Sequence, residues 1–201
     1  FSFHPVKIIT TAEGGVAMTN DDSLAEKMAL LRSHGITRDP AQMSQVPDGP
    51  WYYEQITLGF NYRMTDMQAA LGLSQMARLE AFVAQRHRLA ARYDALLEDL
   101  PVTRPWQHPD GYSGLHLYVI RLAADAPHRD VFERLRAAGV GVNLHYIPVH
   151  TQPYYRQLGF RPGDFPEAER YYREAISLPM YPGLTFDEQD QVVAALRGAL
   201  S

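Results

Sequence analysis

LHLYVIRL at residues 115–122, RDVFERLRAA at 129–138 and VGVNLHY at 140–146 read, in succession, as strand, helix and strand. The first run holds the branched and aromatic side chains that suit a pleated, half-buried surface. In the second, Val131, Phe132 and Leu135 gather on an inward face, and Gly139 stops the pattern. In the third, period-two alternation sets Asn143 and His145 on the face opposite Val142 and Leu144. Toward the C-terminus, helical patterns at 166–176 and 186–199 bracket the segment 177–182. From residue 101 onward the expected class is therefore α+β, with few strands and helices packed on them.

Toward the N-terminus, residues 101–114 hold Pro101, Pro105, Pro109 and Gly111 and form a connector. Before it, 79–97 is amphipathic: Phe82, Val83, Leu89, Tyr93, Leu96 and Leu97 recur, Arg86, Arg88 and Arg92 take other faces, and Pro101 ends it. Thr65-x-x-Gln68 is a capping box opening a helix in which Met67, Ala70, Leu71, Leu73 and Met76 leave few polar faces. Such a helix is expected to be covered, by a core or by another subunit. Residues 36–58, with Pro40, Pro47, Gly49 and Pro50, read as a long loop of the kind that is usually functional or mobile. GVAMT at 15–19 reads as a strand. Asn20 to Ser23 then offer caps for a helix carrying Leu24, Met28 and Leu31, which His34-Gly35 stops. A domain boundary is expected near residue 80, dividing 1–80 from 81–201.

The 201 residues are 46% hydrophobic and 21% charged, ordinary for a globular protein able to bury a sizeable core. A net charge of −4 argues against a non-specific nucleic-acid or anionic-membrane binder. No apolar run approaches the roughly 18 residues of a membrane span, and no secretory leader is expected. Cysteine is absent, which excludes disulfides, thiol catalysis and thiolate-bound metals and fits a cytoplasmic protein. Of 19 basic residues only Lys7 and Lys27 are lysine, so a search for imine chemistry is short. The chain opens on Phe1 within patterned sequence and reads as a piece of something longer.

Three constellations carry chemistry. Lys7 follows Phe1-Ser2-Phe3-His4-Pro5-Val6 and precedes Ile8, Ile9 and Glu13-Gly14-Gly15. A lone lysine is by default a solvated surface residue. Here Phe1, Phe3, Val6, Ile8 and Ile9 are expected to desolvate the ammonium and favour the neutral amine that an imine-forming or proton-carrying lysine needs. Ser2 offers a donor to a phosphate oxygen, and the glycine pair offers close backbone approach to a ligand. Second, Asn61 and Arg63 lie just before the capped helix, where an anion is favoured; a turn plus a cap accounts for the same residues. Third, His145-Tyr146-x-Pro148-x-His150 invites a metal reading, but no third ligand stands at suitable spacing. A polar substrate contact or a satisfied loop histidine explains it as well, and no metal ligands are assigned.

SFHPVK, AEGGVAMTND, RSHG, GFNYRMTDMQAALGLSQ, VNLHYIPVHTQPYY and ISLPMYP, in that order, resemble the sugar aminotransferases of the DegT/DnrJ/EryC1 family, which depend on pyridoxal 5'-phosphate (PLP). Within it they look closest to the pseudaminic acid branch, which aminates C4 of a UDP-linked 4-keto-6-deoxy-N-acetyl sugar. The resemblance implies an α/β fold: the C-terminal part of a fold-type I aminotransferase, with the end of the PLP-binding large domain at 1–80 and the small α+β domain at 81–201. It implies that Lys7 holds PLP as a Schiff base, and relatives with histidine there are dehydratases or deoxygenases. It further implies that Ser2 contacts the cofactor phosphate and that Asn61 reaches the phosphate of the other subunit in a homodimer with shared active sites. Arg63, His145 and Tyr146 are then placed by the nucleotide sugar, and the loop 36–58 where substrate-covering loops are found. Glutamate is the implied amino donor. Family members carry a further stretch of comparable size before the S-F-H motif, so this chain by itself is expected neither to hold PLP well nor to turn over. A truncated, non-catalytic dimerisation or binding module of the same family is the alternative.

Overall fold

Asp21 starts the first helix: its carboxylate accepts the Leu24 amide at 3.1 Å, and α1 runs Asp22–Leu31 in a computed structural model that describes residues 1–201. Past α1 the chain turns through left-handed backbone at His34 (φ 64°) and Gly35 (φ 68°). Glycine is required at the second position twice over, since a Cβ there would lie 2.0 Å from the Thr57 carbonyl oxygen. β1 (Ile36–Thr37) then pairs antiparallel with β2 (Glu54–Gln55). The segment between them, expected to be a plain loop, folds onto a single carboxylate. Glu54 accepts the amides of Ser44 (2.7 Å) and Gln45 (3.1 Å) and the Tyr52 hydroxyl (3.1 Å). After β2 the chain returns to the end of α1, where the Phe60 and Tyr62 amides donate to the Leu31 and Arg32 carbonyls at 2.7 and 2.9 Å. The Thr65–Gln68 capping box then opens α2 (Asp66–Met76).

These elements form one of two compact units, Phe1–Arg78 and Leu79–Ser201. Ile9 is the one buried apolar side chain of the first unit. One expectation is corrected there, and another, a cover for α2 by a core or another subunit, loses its first alternative within this chain. Residues 15–19 form no strand: Gly15 bridges to Ser2 and Val16 pairs with Phe1, and the pairing stops there. And α2 buries no residue: Met67 and Leu73 are 83% and 76% exposed, so its apolar sequence is not matched by a cover within this chain.

The second unit has a complete core. α3 (Leu79–Leu96) leads to an antiparallel three-stranded sheet in the order β3 (Val102–Thr103), β4 (Tyr118–Leu122), β5 (Ala175–Leu178). Val102 pairs with Leu122 and Tyr118 with Leu178. Of the strand expected over 115–122, β4 forms the last five residues, with Tyr118, Ile120 and Leu122 buried. Between β4 and β5 lie α4 (His128–Ala137), α5 (Pro153–Gln157) and α6 (Pro166–Glu174), and α7 (Phe186–Leu200) closes the chain behind a second capping box at Thr185. Val131 and Leu135 of α4, one turn apart, are buried, and α4 packs on α7. Every member of the core cluster lies in this unit, from Leu89 and Tyr93 on α3 to Leu196 and Ala199 on α7.

Residues 140–146, expected as a second strand, carry only an isolated bridge between Asn143 and Ser177. The strand beside β4 is β5, where a helix was expected to run to 176. α3 reaches over to the segment just after β5. Arg86, 4% exposed, donates through Nη1 to the carbonyls of Leu115, His116 and Met180 at 3.1, 3.1 and 2.8 Å. Farther along the same helix, the Tyr93 hydroxyl donates to the Pro179 carbonyl at 3.0 Å. Both anchors hold the exit of β5 in place, and burial pulls the Arg86 guanidinium below its ordinary pKa.

Candidate active site

In the first unit the chain makes a turn to present Lys7. The Lys7 amide donates to the His4 carbonyl at 2.9 Å, with Pro5 at the second turn position, where its fixed φ fits. The turn is anchored on both sides. Residues 1–3 lie along 14–16, with the Phe3 amide on the Gly14 carbonyl (2.9 Å) and the Val16 amide on the Phe1 carbonyl (3.0 Å). The Phe3 carbonyl in turn accepts the Thr11 amide (3.0 Å) and the Thr10 hydroxyl (2.9 Å). Ser2 places its hydroxyl under the same turn, accepting the His4 amide at 3.3 Å.

Thr11, 2% exposed, ties this loop to α2. Its hydroxyl donates to the Glu13 carbonyl at 2.8 Å, and Gln68, in the first turn of α2, donates to the same oxygen at 3.0 Å. A Cβ on Gly14 would meet the Thr11 hydroxyl at 2.3 Å, and one on Gly72 would meet its methyl at 2.9 Å. The glycine pair therefore serves close approach within the protein: Gly15 does the same against the Phe1 carbonyl, at 2.8 Å.

Lys7 itself is half-buried and its ammonium enters no ion pair or hydrogen bond. The expected apolar surround is partial. Phe1 and Val6 stand 83% and 61% exposed, because the pairing of 1–3 with 14–16 and the turn at Pro5 direct them outward, while Ile9 is buried. Asn61 is bridged through its backbone to Ser33, and both Asn61 and Arg63 are exposed. Beside this segment a groove of about 700 Å³ is lined by Val16, Met18, Met28, Leu31, Phe60 and Tyr62, among others, with the Phe60 and Tyr62 rings stacked at 4.9 Å. Ser2, Lys7, Asn61 and Arg63 thus share the first unit.

His145 and Tyr146 belong to the second. His145 is half-buried, and its Nδ1 lies 2.8 Å from the Ser177 hydroxyl on β5. Tyr146 is 67% exposed and meets the His145 ring edge-on at 4.6 Å. His150 is a satisfied histidine: 7% exposed, with Nε2 2.8 Å from Glu169 and the Phe165 ring 4.9 Å away. Glu169 also accepts the Gly163 amide at 2.6 Å. Nothing in the sequence spacing announces the reach of Gln68 to Glu13, of Ser177 to His145 or of Glu169 to His150, because each acts on a segment distant in sequence; Thr11 acts two residues away but belongs to no motif.

The Glu169 cluster sets a pH dependence. The Gly163 amide, and then His150, hold its carboxyl below the ordinary carboxylate range. A depressed folded pKa contributes stability above the unfolded value of about 4.3 and loses it as pH falls through the folded one. We expect the melting temperature of the protein to exceed that of Glu169→Gln at neutral pH. The gap should close as pH drops below about 4. A gap that is constant or widens on acidification would remove Glu169 from this role.

The model of the DegT/DnrJ/EryC1/StrS aminotransferase family matches residues 1–197. The spore coat polysaccharide biosynthesis protein SpsC of Bacillus subtilis is 37% identical over 98% of this chain and 52% of its own length. Among solved structures, the aminotransferase PseC of Helicobacter pylori, involved in pseudoaminic acid biosynthesis, superposes with a TM-score of 0.85 at 32% identity, covering 98% of this chain and 52% of its own. The putative sugar aminotransferase Spr1654 of Streptococcus pneumoniae, in its PMP form, gives 0.88 at 29% identity, over 99% and 52%. The chain spans about half the length of the curated relatives it matches.

Proposed function

Because the chain belongs to the DegT/DnrJ/EryC1/StrS aminotransferase family, we propose that it supplies the lysine-bearing end of the large domain (1–80) and the small domain (81–201) of a PLP-dependent nucleotide-sugar transaminase. The observation that carries this reading is the Lys7 turn: a primary amine without a counter-ion, held at a fixed place by Pro5, Ser2 and the Thr11–Gln68 tie. The residues present fit PLP in their chemistry. Lys7 offers the amine, and Ser2 and Asn61 offer a hydroxyl and an amide of the kind that hold a phosphate. When bound, PLP supplies an aldehyde and an electron-withdrawing ring.

The chain's own residues then have separable tasks. Lys7 Nζ takes the proton from Cα of the amino donor, for which we propose glutamate, and returns one to C4 of the keto sugar. Arg63 presents a planar guanidinium to a carboxylate or phosphate oxygen. His145 and Tyr146 offer a ring nitrogen and a phenol to the nucleotide sugar. For the substrate we propose a UDP-linked 4-keto-6-deoxy sugar; similarity to PseC, an aminotransferase involved in pseudoaminic acid biosynthesis, supports a sugar as acceptor. The uncovered face of α2, with Met67 and Leu71 one turn apart, supports a homodimer in which Asn61 reaches the other subunit's cofactor phosphate.

Borohydride reduction in the presence of PLP tests this, in a protein of the relatives' full length that ends in this chain. The chain has two lysines, so the comparison is internal. Lys27, exposed on α1, reports non-specific labelling. Peptide mass spectrometry is expected to find the pyridoxyl adduct on Lys7 at least about tenfold above Lys27, a factor worth one 1.4 kcal/mol step of preference. Equal labelling would favour the non-catalytic module.

A further inference from the structure

β5 is buried at all four positions, and Ser177 is the one polar residue among Ala175, Ile176 and Leu178. Its backbone is fixed on both sides. It faces Val119 in the β4 register, its amide donates to the Asn143 carbonyl at 2.8 Å, and its own carbonyl accepts the Asn143 amide at 3.2 Å. The exit of the strand is held by Tyr93 and Arg86 on the carbonyls of Pro179 and Met180. An apolar residue would fill a strand position 4% exposed without the cost of burying a hydroxyl. The hydroxyl here has one hydrogen-bond partner, Nδ1 of His145 at 2.8 Å.

The direction of this bond is set by the hydroxyl proton. If Nδ1–H donated to Ser177, the buried hydroxyl hydrogen would be left without an acceptor. If Ser177 donates to Nδ1, only spare lone pairs stay unfilled, which is the milder omission. We propose that Ser177 is a positioning residue: its buried hydroxyl donates to Nδ1 and thereby holds the neutral His145 ring as the tautomer protonated on Nε2, in a fixed plane. The Tyr146 ring, packed edge-on against that plane, is set by the same anchor. An imidazole in this tautomer presents an N–H donor, which suits an oxygen of a diphosphate or a sugar. This last step rests on the nucleotide-sugar reading of His145; the hold of Ser177 on the ring does not.

Two measurements separate them. Nitrogen-15 correlation spectra of the histidine rings of the 201-residue chain, at a pH where His145 is neutral, are expected to show its proton on Nε2. In Ser177→Ala the other tautomer should become populated, and Ser177→Thr, which keeps the hydroxyl, should restore the original spectrum. A proton on Nδ1 in the unaltered chain overturns the proposal without any variant, and so does an unchanged tautomer in Ser177→Ala. In a protein of the relatives' full length, Ser177→Ala is expected to raise KM for a UDP-linked 4-keto-6-deoxy-N-acetyl sugar about tenfold, the scale of one lost hydrogen bond. KM for glutamate should be unchanged, and Ser177→Thr should recover the sugar KM. A shifted tautomer with an unchanged sugar KM supports Ser177 and sinks the substrate role of His145.

Discussion

Replacing Lys7 with alanine is expected to lower glutamate-dependent amino transfer at least about 10³-fold, in a protein of the relatives' full length that ends in this chain. The size comes from the group that is lost: the amine proposed to hold the cofactor and to carry the proton in both half-reactions. Within this chain the other lysine is no substitute, since Lys27 sits on the exposed side of α1. The loss should not come from misfolding. The contact that sets the turn is the Lys7 amide on the His4 carbonyl, which alanine keeps, and the side chain gives up no ion pair. Stability should therefore move by less than about 0.5 kcal/mol. Lys7→Arg is the sharper control, because a guanidinium keeps the charge and never deprotonates at working pH. It should be as inactive as alanine. Exchange between glutamate and its keto acid that survives in either variant would take Lys7 out of the reaction.

What the sequence made legible was local. Thr65-x-x-Gln68 announced the start of α2, and the branched and aromatic run at 115–122 announced β4, because both signals are complete within a few residues. β5 was hidden for a physical reason. A strand buried on both faces has no alternation to read, and Ala175–Leu178 follows α6 without a glycine or proline between. Residues 140–146 failed in the opposite sense. Their alternation is real, but pairing needs a neighbour, and only Asn143 finds one, in Ser177. At the candidate site, motif reading selected Lys7, Ser2, Asn61 and Arg63, whose chemistry is visible in one-letter form. The residues that set the height and angle of the lysine turn were not visible. Thr11 acts by burying its hydroxyl against the Glu13 carbonyl, and Gln68 reaches that carbonyl from 55 positions away.

The two units should differ in amide exchange by at least about 10³-fold, roughly 4 kcal/mol of opening free energy, although both are built of hydrogen-bonded helices. Helical hydrogen bonds alone stabilise little; most of a helix's stability comes from packing an apolar face. In the unit Leu79–Ser201 that packing exists. Tyr93, Tyr118, Leu135, Ile176 and Leu196 are each no more than 1% exposed, and opening any of β4, β5 or α7 uncovers them together. In the unit Phe1–Arg78 only Ile9 is a buried apolar side chain, and neither α1 nor α2 buries a residue. Local opening of α2 therefore exposes almost nothing that is not already exposed. In the 201-residue chain at low concentration, amides of β4, β5 and the centre of α7 are expected to be slow, and those of α1 and α2 to exchange near their unprotected rates. Protection of α2 equal to that of α7 would show that its hydrogen bonds hold without an apolar cover. The same experiment reads the proposed homodimer. If a second copy covers Met67 and Leu71, raising the chain concentration should slow residues 67–73 and leave α7 as it was, because mass action stabilises only the surface that association buries.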